Sequence, residues 1–326
     1  MASIQQVKSP LRGVNLGGWL VLEPWITPDL FKGIDARDEY DFCKQANQTV
    51  LRQFRDTFVQ EDDFAWLAQQ GIQAVRLPVG YWLFGDYPPF DATVGYVDKA
   101  FRWAAKYNLK ILLDVHAVPG SQNGKVHSGR IGAVQWPHDQ HLSQTMALLE
   151  QLADRYGDES ALLGISLLNE PAPHISAAML KAFYKQAYEL IRKRCGKSVW
   201  VVFSDGFKPR KWRKQLPVRD YPGLYIDTHH YQIYTWYDKL LPAQLQLWRA
   251  RHMLPSKLAR IAKHHPLVVG EWSVALPAGR SVAGDKYALA QQQAFASSAA
   301  WFYWTYKTQY GGPWSFRHLV ARNLIA

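Results

Sequence analysis

Two glutamates, Glu170 and Glu271, each follow a short apolar run: ALLGISLLN before the first and PLVVG before the second. Two carboxyl groups facing one substrate can divide acid–base and nucleophilic work. One donates a proton to a leaving oxygen while the other stays ionised, to attack directly or to activate water. In glycoside cleavage, carboxyl groups about 5–5.5 Å apart give covalent attack with retention, and about 6.5–9.5 Å leaves room for a water and gives inversion. One glutamate at a strand end is equally an ion-pair partner. Two of them point to a shared site, because Arg76, His116, Asn169, His229, Tyr231 and Trp304 lie at or near the ends of other apolar runs.

The chemistry assigns these residues provisional tasks. Glu170 as proton donor needs a raised pKa, from apolar packing or a nearby carboxylate, and Glu271 as nucleophile must remain ionised. Arg76 would support an ionised Glu271 through charge-assisted hydrogen bonds, or serve as a strut of the floor. Asn169 could bond a sugar hydroxyl near the reacting carbon, and Tyr231 could hold the nucleophile's rotamer. His116 and His229 could orient the carboxylates. Asp114, His116, His229 and His230 also suggest a metal centre, but no compact ligand motif accompanies them, so no metal or cofactor is expected. No GxSxG elbow supports a serine triad.

These side chains must be carried by a repeating scaffold. Eight candidate strands recur: 11–16, 71–78, 109–116, 161–171, 199–206, 224–231, 266–273 and 301–306. Several are continuous apolar runs, as expected for strands covered on both faces. Helical spacing predicts helices over 56–70, 97–107, 140–156, 177–194, 245–264 and 285–299, with Gly71, Gly157 and Gly196 closing three of them. The alternation predicts a single-domain (β/α)8 TIM barrel over residues 1–326, in which strand C-termini converge on one pocket. An open doubly wound sheet is the competing architecture, but neither a GxGxxG fingerprint nor a P-loop is present. The stretches 24–49 and 118–137 are expected to be long rim loops.

Composition narrows the class. Of 326 residues, 48% are hydrophobic and 20% charged, which is ordinary for a globular protein; 14 Trp and 17 Tyr can build a deep core or line a carbohydrate groove. The net charge of +11 is concentrated in short runs only, Arg192 to Lys197 and Lys208 to Lys214, without zinc-finger or helix-turn-helix spacing, so a solvated basic face is expected rather than a nucleic-acid partner. Cys43 and Cys195 fall in helix-like contexts and are expected to be unpaired. The opening MASIQQVKSP lacks the apolar core of a secretory signal, and no run approaches a membrane span. The chain as it stands reads as cytoplasmic; an exported protein whose signal lies outside these residues would have the same composition.

At these residues the chain resembles glycoside hydrolase family 5, and within it the exo-β-1,3-glucanase (glucan 1,3-β-glucosidase) group. The resemblance is carried by RGVNLGGWLVLEPWITPDLF at 12–31, VRLPVGYW at 75–82, DVHAVPGSQNG at 114–124, LLNEP at 167–171, HHYQ at 229–232, GEWS at 270–273 and WFYWTYKT at 301–308. It implies Glu170 as acid/base and Glu271 as nucleophile. Arg76, His116, Asn169, His229 and Tyr231 would support them. It further implies Trp304 as a sugar-stacking platform and Glu23 as a ligand of the terminal glucose in a blind pocket. Asn123, Trp136 and Tyr234 complete the expected substrate contacts. The segment KVHSGRIGAVQW at 125–136 departs from the group's pattern, although its Ser-Gly pair is kept. The expected activity is retaining cleavage of β-linked glucans or gluco-oligosaccharides, most of all β-1,3-linked ones, without a cofactor. Transglycosylation forming β-1,3 or β-1,6 links is the alternative, and a non-catalytic carbohydrate-binding barrel is the reading from another class.

Overall fold

All eight apolar runs contain strands, and the computed structural model describes residues 9–280 and 284–325. The strands are β1 (Leu11–Asn15), β2 (Ala74–Gly80), β3 (Lys110–Ala117), β4 (Leu162–Ser166), β5 (Trp200–Ser204), β6 (Leu224–His230), β7 (Leu267–Trp272) and β8 (Ala300–Tyr303). They pair in parallel in chain order, and β8 returns to β1 with Leu11 opposite Ala300. This closure makes a (β/α)8 barrel and excludes the open sheet, because no edge strand is left to bear a second crossover direction.

The helices are α1 (Glu39–Gln45), α2 (Gln48–Phe58), α3 (Glu61–Gln69), α4 (Val94–Lys106), α5 (Asp139–Tyr156), α6 (Ala177–Cys195), α7 (Trp236–Leu240), α8 (Ala243–His252), α9 (Leu254–Ala262), α10 (Gly284–Ala294) and α11 (Phe316–Ala321). Three predicted helices end or break earlier than periodicity suggested. The 56–70 segment is interrupted at Val59 and Gln60, which are extended; the Gln60 N–H is taken by Asp63 Oδ2 at 2.9 Å, so a new helix starts there. The 245–264 segment breaks between α8 and α9, where Pro255 lies in the first turn of the second helix and lacks an N–H to continue the first. The 285–299 segment stops at Ala294, passes through a 3-10 turn over Phe295–Ser297, and enters β8. Between β5 and β6 the described chain carries only a 3-10 turn, Pro209–Trp212.

The 24–49 stretch, expected to be an irregular rim loop, contains a 3-10 turn over Pro28–Phe31, all of α1 and the start of α2. Phe31, Phe42, Leu51 and Leu22 form a small core of their own beneath it. Its Glu39 is fully buried and accepts from Arg55 Nη2 at 2.7 Å and from the Leu22 N–H at 2.7 Å, which pins the cover to the chain following β1. Cys43 and Cys195 are both free thiols. Among the described residues no helix is long and apolar enough to cross a membrane.

The barrel interior explains where the polar side chains go. Ala74, Leu112, Val202, Val268, Ala300 and Phe302 form one buried apolar cluster. Because side chains alternate along a strand, residues two positions further on share that inward face. Those positions are Arg76, Asp114, Ser204, Gly270 and Trp304. An apolar plug therefore gives way, one layer up, to charge and hydrogen-bonding groups. β7 breaks the alternation there: Thr228 pairs with Val269 but His229 pairs with Glu271, so Gly270 is an extra residue. This bulge sends Glu271 inward and leaves Trp272 to pack outside against Phe295 and Trp301. Only glycine fits at the extra position, since a Cβ there would lie 2.3 Å from the Asp227 carboxylate.

Candidate active site

Arg76 is the centre of the floor. Its guanidinium is fully buried; Nη1 donates to Asn15 Oδ1 at 2.9 Å and to Glu271 Oε1 at 3.1 Å, and Nη2 donates to Asn169 Oδ1 at 2.8 Å. Asp114 Oδ1 lies 2.9 Å from Nη2, and Asp227 Oδ2 lies 4.0 Å away. One cation is thus shared among three carboxylates. Burial works against the Arg76 charge, but Asp114, Glu271 and Asp227 overcome it and raise its pKa.

Glu271 is fixed from three sides. Tyr231 donates its O–H to Oε2 at 2.8 Å, Arg76 holds Oε1, and His229 Nδ1 stands 3.3 Å from Oε2. Glu170 lies four residues beyond β4 with φ of +42, a left-handed conformation uncommon for a residue with a side chain. The neighbouring backbone is braced to hold it: Asn123 Nδ2 donates to the Glu170 carbonyl at 3.0 Å, and Gln122 Nε2 to the Asn169 carbonyl at 2.9 Å. The Glu170 carboxylate meets two imidazoles, with His229 Nδ1 at 2.7 Å from Oε1 and His127 Nε2 at 3.3 Å from Oε2. His229 therefore bridges the two glutamates, and one oxygen of each lies within 4.8 Å of the other.

The ionisation order differs from the sequence expectation of a raised Glu170 and an ionised Glu271. Burial raises Glu170, but hydrogen bonds from His127 and His229 outweigh it and hold the carboxyl well below its ordinary range. Glu271 is pushed up to about 7 by burial, with the Glu170 charge adding and His229 and Arg76 opposing. The physical reason is the distribution of cations. Two imidazoles attend Glu170, while Arg76 is divided between Glu271 and two aspartates. Burial opposes charge on His229 as well, yet Glu271, Asp227 and Glu170 hold it protonated well above the usual histidine range.

The surrounding cavity has a volume of about 480 Å³ and is lined by Glu23, Trp25, His116, Asn169, Glu170, Tyr231, Glu271, Trp304 and Trp314, with Lys125, Val126, His127, Phe207 and Tyr234 completing the wall. Trp304 stacks on His116 with centroids 5.5 Å apart and planes 7° from parallel. Gly17 admits that ring, since a Cβ at this position would come within 2.9 Å of it. His116 Nδ1 is 2.6 Å from Asp114 Oδ2; burial nevertheless lowers its pKa to about 4, so it faces the cavity neutral at ordinary pH. Glu23 is buried, accepts from Trp25 Nε1 at 2.8 Å, and is raised chiefly by burial. Tyr234 stands at the mouth, 66% exposed and edge-on to Tyr231.

Ten of the twelve expected site residues thus converge: eight line the cavity, Arg76 lies beneath it, and His229 bridges the two glutamates. The other two do not join this cluster. Asn123 is a brace, its amide spent on the Glu170 carbonyl, His127 and the Lys125 N–H. Trp136, expected at the substrate, is a core residue: fully buried, edge-on to Phe183 at 5.0 Å, with its indole N–H donated to Thr145 Oγ1 at 2.9 Å. Trp136→Ala should therefore cost about 3–5 kcal/mol of stability in denaturant unfolding and leave KM for small glycosides unchanged. A raised KM with unchanged stability would restore it to the substrate.

His127, Trp25, Trp314, Asn15 and Asp227 were not singled out from sequence. Trp25 lay within the quoted LEPW motif, and Asp227 lies two residues before His229, where strand alternation could have found it. The four-residue metal alternative does not assemble. Asp114 is engaged by Arg76 and His116, while His230 is buried apart, with burial, Lys257 and Arg249 lowering its pKa to about 3. Among the described residues, Glu170, His229 and Glu271 do bring one donor atom each within 4.8 Å of one another. All three are already held by Arg76, Tyr231, His127 and Asp227, the partners an acid–nucleophile pair needs.

Residues 38–309 match the family model described as Cellulase (glycosyl hydrolase family 5). The glucan 1,3-beta-glucosidase of Schwanniomyces occidentalis is 33% identical over 97% of this chain and 87% of its own length. The probable glucan 1,3-beta-glucosidase A of Emericella nidulans is 32% identical over 97% of this chain and 89% of its own. In three dimensions the rutinosidase from Aspergillus niger superposes with a TM-score of 0.85 at 22% identity, covering 99% of both chains. An endoglucanase from Thermotoga maritima superposes at 0.60 and 16% identity, covering 92% of this chain and 91% of its own.

Proposed function

This chain belongs to glycosyl hydrolase family 5, and from that premise we propose that it is a retaining β-glucosidase acting on β-1,3-linked gluco-oligosaccharides. The observation that carries the mechanism is the approach of the Glu170 and Glu271 carboxylates to within 4.8 Å across His229. Oxygens this close fit the short separation, about 5–5.5 Å between carboxyl groups, that goes with direct attack better than the separation of about 6.5–9.5 Å that leaves room for a water. Glu271 attacks C1 as Glu170 protonates the leaving oxygen, giving a glucosyl ester. Glu170 then takes a proton from water, whose oxygen displaces Glu271. Arg76 and Tyr231 stabilise the Glu271 carboxylate as it forms and re-forms.

Exo action is supported by the wall made of Glu23, Trp25 and Trp314. The Trp25 and Trp314 rings meet at 5.5 Å, and Glu23 is a buried acceptor for hydroxyls of a terminal sugar. The names of the relatives from Schwanniomyces occidentalis and Emericella nidulans support the β-1,3 linkage. Phe207 and Tyr234, half-exposed or more at the rim, favour transfer as a second outcome, since their rings offer an incoming sugar a face to stack on. Time-resolved product analysis with linear β-1,3-gluco-oligosaccharides decides. Stepwise release of glucose is expected, and products longer than the starting sugar would show transfer. Rapid mid-chain cutting would rule out a blind pocket.

A further inference from the structure

His127 stands between Glu170 and the loop that carries Asn123, and its contacts constrain where a proton can sit. We infer that His127 is the proton partner of Glu170, a positioning residue whose Nε2 accepts the Glu170 O–H and keeps that proton on the carboxyl when substrate is bound. The inference rests on the acid/base reading of Glu170.

The Asn123 amide has only one orientation. Its Oδ1 accepts from the Lys125 N–H at 3.0 Å, and its Nδ2 donates to the Glu170 carbonyl at 3.0 Å. The second Nδ2 hydrogen points to His127 Nε2 at 2.8 Å. A ring nitrogen that accepts this hydrogen carries a lone pair, not a proton. Its contact of 3.3 Å with Glu170 Oε2 is then favourable only when the carboxyl holds the hydrogen. With the proton on Nε2 instead, two donors face each other across the Asn123 contact.

Charge pulls the other way. His127 is faced by Glu170 from the segment after β4, Glu23 from that after β1 and Glu271 from β7, against which His116 of β3 and Lys125 are the cationic or neutral basic neighbours. Before substrate arrives the carboxylates favour an imidazolium. A sugar seated over the pair removes water, which disfavours two separated charges and leaves the neutral arrangement, in which the one Nε2 lone pair is shared by the Asn123 N–H at 2.8 Å and the Glu170 O–H at 3.3 Å. No proton has to be fetched from solvent. Glu170 then gives this proton to the leaving oxygen as C1–O breaks and the C1–Glu271 bond forms. It recovers one from the acceptor hydroxyl or water as that ester bond breaks.

The test is the pH profile of kcat, which reports the substrate-bound enzyme, for a β-glucoside with a poor leaving group, in the wild-type chain, His127→Asn and His127→Gln. Losing the acceptor for the Glu170 O–H should move the alkaline limb toward acid by about one pH unit, while activated leaving groups show little change. A limb that stays in place, or moves to higher pH as removal of a permanent cation would make it do, overturns the proposal. Should neither variant fold, 15N shifts of His127 in Glu271→Gln saturated with a β-1,3-gluco-trisaccharide give the answer. Nε2 should be unprotonated in the complex, and a protonated Nε2 would reject the role. Glu170→Ala is the control: if it retains turnover of poor leaving groups, the acid/base reading itself falls, independently of His127.

Discussion

Glu271→Ala should lower turnover of even activated β-glucosides by about ten-thousand-fold or more while the chain stays folded. The effect is large because the described residues that touch the Glu271 carboxylate include no second carboxylate. Tyr231 and Arg76, which converge on Glu271, are a hydroxyl with a raised pKa and a cation, and neither can replace a carboxylate. The fold should survive because Arg76 keeps Asp114, Asn15 and Asn169 as partners. Added azide supplies the stereochemical check. In this variant it occupies the space Glu271 leaves and displaces the aglycone once, so the glucosyl azide formed should be α. Substantial residual turnover without azide, or a β product with it, would remove Glu271 from the nucleophile's role.

Glu170→Ala should divide substrates by leaving group. Poor leaving groups need protonation as the glycosidic bond breaks and should lose about 100- to 10,000-fold. Activated phenolates leave unassisted, so their first step should be nearly preserved and the glucosyl enzyme should accumulate. Azide should now release β-glucosyl azide, because it attacks the intermediate from the side Glu170 used to occupy and adds a second inversion. Equal losses for good and poor leaving groups would argue against proton donation. The paired experiments also discriminate between the two glutamates independently of their ground-state ionisation, in which Glu271 lies near 7 and Glu170 is held low by His127 and His229. That order describes the free site. The productive state places the proton on Glu170, and the Asn123–His127 contact supplies a local reason for it to do so.

Much of the site was legible in the primary structure because strand alternation and barrel closure are strong constraints. His116, Glu170, His229 and Glu271 stand at or just beyond the C-terminal ends of parallel strands, and closure brings such ends together whatever separates them in sequence, while Arg76, the third residue of β2, reaches Glu271 from the layer beneath. Trp136 was misplaced because an aromatic in a rim loop reads alike whether it faces a sugar or the helices below. What decided it was a partner for its N–H, Thr145, on α5. His127 was overlooked for the converse reason: a histidine in a polar loop carries no periodic signal, and only the turn over Val126–Ser128 directs it at Glu170.

The two glutamates mark the division most clearly. The residue pattern alone determined a barrel with a carboxylate pair at one mouth, because apolar runs fix strands and strand ends fix a rim. It did not determine how either carboxylate comes to face inward. Glu271 follows Gly270, and strict alternation from Val268 would have turned it toward the helices. The bulge at Gly270 reverses that direction, and it forms because Asp227 on the adjacent strand accepts the Gly270 N–H at 2.7 Å in space no side chain could share. Glu170 is turned by a positive φ that Asn123 and Gln122 hold from another loop. Both orientations depend on partners remote in the chain, so the tertiary structure alone could decide them.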